Sequence, residues 1–177
     1  MTYRQQVREF ALDHYGYITT AEADDLDVPA AELRKLAARG ALAHVSRGLY
    51  RLTDAFATDR DQFAEAVLRV GPDAYLTHDA VLALHGLALV NPRRIRVATP
   101  RRVRANLPGY IQLILRDLPA DALTEYEGIP CTTVAQALVD CQGLVMADRL
   151  AEATKRARAE GLLTMREMRL LRAEGAA

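Results

Sequence analysis

TTAEADDLDVPAAELRKLAARGALAHVSRGLYRL, residues 19–52, decides the fold of the first part of the chain. Thr19 or Thr20 can cap a helix starting at Ala21, because a side-chain oxygen takes an unpaired N–H of the first turn. Glu22, three residues after Thr19, completes a capping box. Pro29 disfavours helical geometry at Val28 and so ends this short helix, and it is well placed to start the next one. That second helix is expected from about Pro29 to Arg39, stopped by Gly40. Leu33, Leu36 and Ala37 form its inward stripe at i, i+3, i+4 spacing. Ala31, Arg34, Lys35, Ala38 and Arg39 lie on the other side. Small residues beside long cations suit a helix that must approach a phosphate backbone closely, and arginine can also read guanine with two hydrogen bonds. Ala41–Ser46 and Leu49–Leu52 read as two strands turning at Ser46-Arg47-Gly48, with Arg47 at the tip. Arg51 shares a strand face with Leu49. Helix, turn, helix, ribbon is the order of a winged helix-turn-helix, which places one helix in the DNA major groove. A winged module used for protein contact has the same order.

Upstream, Tyr3–Tyr15 is an amphipathic helix with Tyr3, Val7, Phe10 and Ala11 on one stripe. Tyr17 and Ile18 suit a short edge strand or a staple before the next helix. Downstream, Thr53–Thr58 is a polar joint, which sets domains at residues 1–53 and 54–177. The second domain is expected to be a small α+β unit. Helices are expected at Asp61–Val70, at Asp79–His85 with Thr77 as cap, from Val134 to about Cys141, at Val145–Ala159 and at Thr164–Ala173. Strands are expected at Arg94–Thr99, Tyr110–Arg116 and Tyr126–Cys131, a few antiparallel strands in all. Asn91-Pro92 reads as a turn.

Composition narrows the function classes. The 177 residues are half hydrophobic and formally neutral, so nothing steers the whole chain toward nucleic acid and any DNA binding must be local. Met1–Leu52 carries seven Lys/Arg against seven Asp/Glu. Asn91–Leu118, in contrast, has Arg93, Arg94, Arg96, Arg101, Arg102, Arg104 and Arg116 against Asp117, a net of +6. This arginine belt fits nucleic acid or an acidic partner protein as well as a solvated loop with local ion pairs. Two cysteines, Cys131 and Cys141, make neither a disulfide framework nor a zinc spacing. No stretch approaches a membrane span, and a cytoplasmic protein is expected.

No catalytic, metal or cofactor site is legible. His78 and His85 share roughly one helix face but lie two turns apart, too far to hold one metal. Cys131 precedes a capped helix, where a thiol can acidify, yet a small buried residue explains it better. There is no P-loop, no Gly-rich dinucleotide turn, no metalloprotease spacing and no nuclease-like carboxylate–lysine arrangement.

Two stretches together carry a resemblance. One is LAARGALAHVSRGLYRL, residues 36–52. The other is the series YLTHDAVLALHGL (75–87), RIRVATP (94–100) and GIPCTTVAQALVDCQG (128–143). In this order they resemble the AbiEi antitoxins of abortive-infection toxin–antitoxin pairs, from about Tyr17 to about Leu171. The resemblance implies an N-terminal winged helix that binds repeats in the promoter of its own operon, an arrangement that suits two copies on DNA. It also implies a C-terminal antitoxin domain that counters a nucleotidyltransferase-like toxin, directly or indirectly. Arg34, Lys35, Arg39, Arg47 and Arg51 would be the DNA contacts. Family members often carry an Arg in the helix after Gly-Ile-Pro where this chain has Gln136. That position has either a binding role or a structural one, such as pairing with Asp140. The chain is thus expected to be a DNA-binding antitoxin and autorepressor without enzymatic activity. A stand-alone regulator with a ligand-sensing second domain is the alternative, and a nuclease fused to a winged helix the third reading.

Overall fold

The computed structural model describes residues 1–87 and 93–174. The turn read at Asn91-Pro92 lies outside them, as does the chain after Glu174. The described chain divides into two compact units, Met1–Arg69 and Val70–Ala177, and has a mixed α+β fold.

The first unit opens with α1 (Tyr3–Leu12), β1 (Tyr17–Thr19), α2 (Thr20–Asp25) and α3 (Ala30–Ala38). A ribbon of β2 (Leu42–Ser46) and β3 (Leu49–Leu52) follows. The expected capping box is present: Thr19 Oγ1 accepts from the Glu22 N–H, and Glu22 Oε2 accepts from the Thr19 N–H at 2.7 Å. Pro29, at ψ 139°, sits one position before α3 as its N-cap. The Tyr17–Thr19 segment joins the ribbon, giving an antiparallel three-stranded sheet of order β1-β3-β2. Val7 and Ala11 of α1, Ile18 of β1, Ala23 of α2, Leu33 and Leu36 of α3, and Leu42, Tyr50 and Leu52 of the ribbon close one core. Each large aliphatic side chain buried there contributes about 1.5–3 kcal/mol of transfer free energy.

The unit runs beyond Thr53, where the joint was read, because α4 (Asp61–Val70) is tied back to the sheet. Tyr17 Oη donates to Glu65 at 2.7 Å, and Arg51 pairs with Asp61. Both acidic partners lie past the joint, so the sequence pattern alone could not show the tie. Burial, then the Glu65 hydrogen bond, pushes the Tyr17 phenol well above its ordinary pKa.

The second unit is built on a five-stranded sheet of order β6-β5-β4-β8-β7. The strands are β4 (Tyr75–Leu76), β5 (Ile95–Thr99), β6 (Ile111–Leu115), β7 (Leu123–Tyr126) and β8 (Ile129–Thr132). The sheet is mixed rather than antiparallel: β5 runs parallel to β6 and β4 parallel to β8. The single strand expected at Tyr126–Cys131 is instead a hairpin. Glu127 (φ 48°) and Gly128 (φ 79°) both take positive φ at its turn, the geometry of a two-residue primed turn that matches strand twist. Helices α5 (Asp79–Leu84), α6 (Val134–Asp140), α7 (Ala147–Ala159) and α8 (Met165–Ala173) follow the expected order. Thr133 caps α6, and Thr164 with Glu167 forms the capping box of α8. The cap of α5 is His78 rather than Thr77. Thr77 is wholly buried and its hydroxyl is used elsewhere. Leu76, Leu82, Ile129, Leu138 and Leu171 are among the fully buried side chains of this unit.

Candidate nucleic-acid interface

α3 buries Leu33 and Leu36 and leaves Ala31, Arg34, Lys35 and Ala38 exposed. The outward face therefore combines two cations with two methyl-sized residues, as the spacing predicts. Lys35 pairs with Glu32 at 2.6 Å. An exposed pair of this kind is worth a fraction of a kcal/mol and gives way readily to a phosphate. Arg39 is exposed but flanks a different surface, a groove of about 440 Å³ whose lining includes Tyr3, Arg4, Arg8, Leu36 and Leu42. Arg47 is exposed at the ribbon tip. Gly48 beside it has φ +72°, and a Cβ there would lie 2.9 Å from Thr20 Oγ1. Its carbonyl accepts from the Thr20 N–H at 2.8 Å. The tip is thereby fastened to the start of α2, and only glycine fits the fastening.

Arg51 stands apart from the set in which the sequence places it. It lies on the central strand opposite Tyr17. Its guanidinium pairs with Asp61 and lies 5.2 Å from the centre of the Tyr17 ring. The Asp61 side chain is mostly buried, so this arginine is committed within its own unit. On this face of the strand the guanidinium is held by Asp61 of α4.

The arginine belt of the second unit divides in the same way. Arg96 Nη1 bonds both oxygens of the Asp79 carboxylate, at 2.6 and 2.7 Å. Arg101 makes an exposed pair with Asp73. Arg93, Arg94, Arg102 and Arg104 are exposed and have no ion pair among the described residues.

A polar cluster lies between these elements. Asp140 accepts from Arg116 Nη1 at 2.8 Å, from Gln136 Nε2 at 2.9 Å and from Thr77 Oγ1 at 3.3 Å. Gln136 thus hydrogen-bonds Asp140, while the counter-charge comes from Arg116. Thr77 Oγ1 also lies 3.0 Å from His78 Nδ1. His78 has φ 55° and ψ −135°, a region costly for any residue with a Cβ. The Asp79 and Asp140 carboxylates are each neutralised by an arginine, so neither is set up as a free general base. The His85 ring packs at a tilt against Tyr126, with ring centres 3.9 Å apart. Burial pushes the Cys131 thiol up to about 11 and that of Cys141 up to about 12, the behaviour of packed rather than reactive sulfur. Among the described residues no group of three His, Cys, Asp or Glu could hold a metal ion, and no helix is long and apolar enough to cross a membrane.

His78 is expected to make stability pH-dependent. Burial is the largest effect and lowers its pKa below the ordinary 6.5, against the pull of Asp140. The unfolded chain then takes up a proton at a pH where the folded chain resists it, so stability is full above about 6.5 and falls as pH drops toward the folded value. The urea midpoint should fall between about pH 7.5 and 5.5, and His78→Asn should fall less over the same interval. Equal slopes for the two proteins would remove His78 as the cause.

Comparison with known proteins bears on the first unit. No curated protein matches the chain. Residues 5–53, from within α1 to just past the ribbon, match the family described as transcriptional regulator, AbiEi antitoxin. The winged segment of this chain is therefore similar to that family, one of transcriptional regulators, over somewhat more than a quarter of the chain's length.

Proposed function

We propose that the protein is an antitoxin that represses its own operon. In this reading α3 enters the major groove, Arg34 and Lys35 meet bases or phosphates, Arg47 touches the backbone from the wing tip, and Arg39 contributes from the flank. Arg51 is left out because Asp61 holds it. The second unit counters a nucleotidyltransferase-like toxin. The observation that carries the DNA half is the exposed face of α3, where two cations stand among alanines beside a glycine-fastened wing, within the segment that matches the family. Two copies on repeated half-sites would suit the symmetry of operator DNA.

The test is fluorescence anisotropy on a duplex from the promoter preceding the gene. Arg34→Ala with Lys35→Ala should weaken binding about tenfold or more and flatten the salt dependence by about 0.9 for each phosphate that is no longer neutralised. Unchanged affinity would remove α3 as the recognition helix. For the toxin half, the purified chain is mixed with the product of the neighbouring gene and resolved by size-exclusion chromatography with light scattering. Co-elution supports direct capture, and failure to rescue growth in cells expressing that neighbour would overturn the antitoxin role.

A further inference from the structure

β6 ends the sheet order β6-β5-β4-β8-β7, and no strand of the described residues lies on its outer side. The phase of its ladder can be read. Ile95 N–H donates to the Tyr110 carbonyl at 2.7 Å and Arg116 N–H to the Thr99 carbonyl at 3.0 Å, with Ile95 opposite Ile111 and Thr99 opposite Leu115. In a parallel ladder alternate residues turn their amides to the same side. Gln112, Ile114 and Arg116 therefore face β5, while Leu113 and Leu115 turn N–H and C=O outward. The same two residues expose their side chains, Leu113 by 38% and Leu115 by 69%. Natural edge strands are usually blunted by a charge, a proline, a bulge or a covering element. The strand Ile-Gln-Leu-Ile-Leu carries no charge and no proline, and its pairing with β5 is unbroken.

The charge around this edge selects its occupant. Arg93 and Arg94 precede β5, and Arg102 and Arg104 lie in the connection that leads into β6. All are exposed without an ion pair among the described residues. A second copy pairing edge to edge would bring two such arginine sets together, which like-charge repulsion opposes. A phosphodiester can take the arginines and the outward N–H groups but offers nothing to the outward C=O groups or the leucine row, whereas an extended acidic peptide satisfies all of them. We propose that β6 receives an extended, acid-rich segment of a partner protein as an added strand. Its backbone bonds Leu113 and Leu115, its alternate apolar side chains lie on their exposed row, and its carboxylates meet the four arginines.

The probe is a labelled decapeptide alternating Glu with Val, titrated against the full chain by anisotropy, with a Lys-for-Glu peptide as control. The acidic peptide should bind saturably and the basic one should not. Leu113→Pro removes an outward N–H that β5 does not use, and Arg102→Glu with Arg104→Glu reverses charge on an exposed loop. Each change should weaken binding about tenfold or more while the circular dichroism spectrum is kept. Should the proline variant unfold, the loop variant alone decides. Absence of saturable binding, or equal affinity for the folded variants, overturns the proposal. Displacement of the peptide by a short DNA or RNA at lower concentration would assign the edge to nucleic acid instead. Self-association abolished by Leu113→Pro would assign it to a second copy.

Discussion

Asp140→Ala is expected to cost about 3 kcal/mol of stability. The Asp140 side chain is only 6% exposed and that of Arg116 30%. Their attraction is offset by the cost of taking both charges out of water, so the pair need not be worth much in itself. Removing one member is another matter. Arg116 would be left partly desolvated without a counter-charge, and Gln136 Nε2 and Thr77 Oγ1 would each lose an acceptor. An unmet buried polar group costs about 1–3 kcal/mol. Replacing both charges, with Asp140→Leu and Arg116→Met, should therefore cost less than Asp140→Ala alone. Equilibrium urea unfolding of the three proteins measures this. A loss under about 1 kcal/mol for Asp140→Ala would show that Arg116 reaches water without penalty.

Leu33→Ala and Arg34→Ala stand one position apart and should give opposite results. Leu33 is wholly buried in the core shared by α1, α3 and the sheet. Truncating it removes transfer free energy and leaves a cavity, for about 3–4 kcal/mol. Arg34 is exposed with no ion pair among the described residues, so Arg34→Ala should change stability by less than about 0.5 kcal/mol. Thermal unfolding followed by circular dichroism separates the two. A small loss for Leu33→Ala would mean that the surroundings collapse into the space, and the assignment of the inward stripe as the rigid support of α3 would fall. On the functional reading proposed above, Arg34→Ala weakens DNA binding in a protein that melts normally, whereas Leu33→Ala weakens it only as the fold is lost.

Much of the first unit was legible because its signals are local. The Thr19–Glu22 box, Pro29, Gly40 and the turn at Arg47-Gly48 act within three or four residues of where they sit, and the stripe of Leu33 and Leu36 fixes which side of α3 faces in. What escaped was set by distant partners. The pairing of Arg51 was not legible because its counter-charge, Asp61, enters from a helix beyond the polar joint. In the second unit the helices were readable from their caps, but the strand directions were not. Nothing in Arg94–Thr99 or Tyr110–Arg116 distinguishes a parallel from an antiparallel neighbour. A hairpin whose turn uses Glu127 and Gly128 also overlaps the stretch Tyr126–Cys131 that reads as one short strand. The surroundings of Gln136 were not legible in sequence because the arginine that neutralises Asp140 comes from just past β6, twenty-four positions away.

The centre of the second sheet has a consequence for the order in which the chain can fold. β4 consists of Tyr75 and Leu76 alone, and one of its two neighbours is β8, met where Leu76 lies opposite Cys131. Such a pairing must close a long stretch of chain before it returns any favourable energy. The ribbon of the first unit closes across a turn of two residues. During synthesis, α1 through the ribbon can therefore consolidate early, while β4 has an open side until Ile129–Thr132 arrives. An apolar strand waiting that long invites pairing with the wrong chain. The brevity of β4 is thus a safeguard as well as a weakness: two residues offer a stray strand too little ladder to hold.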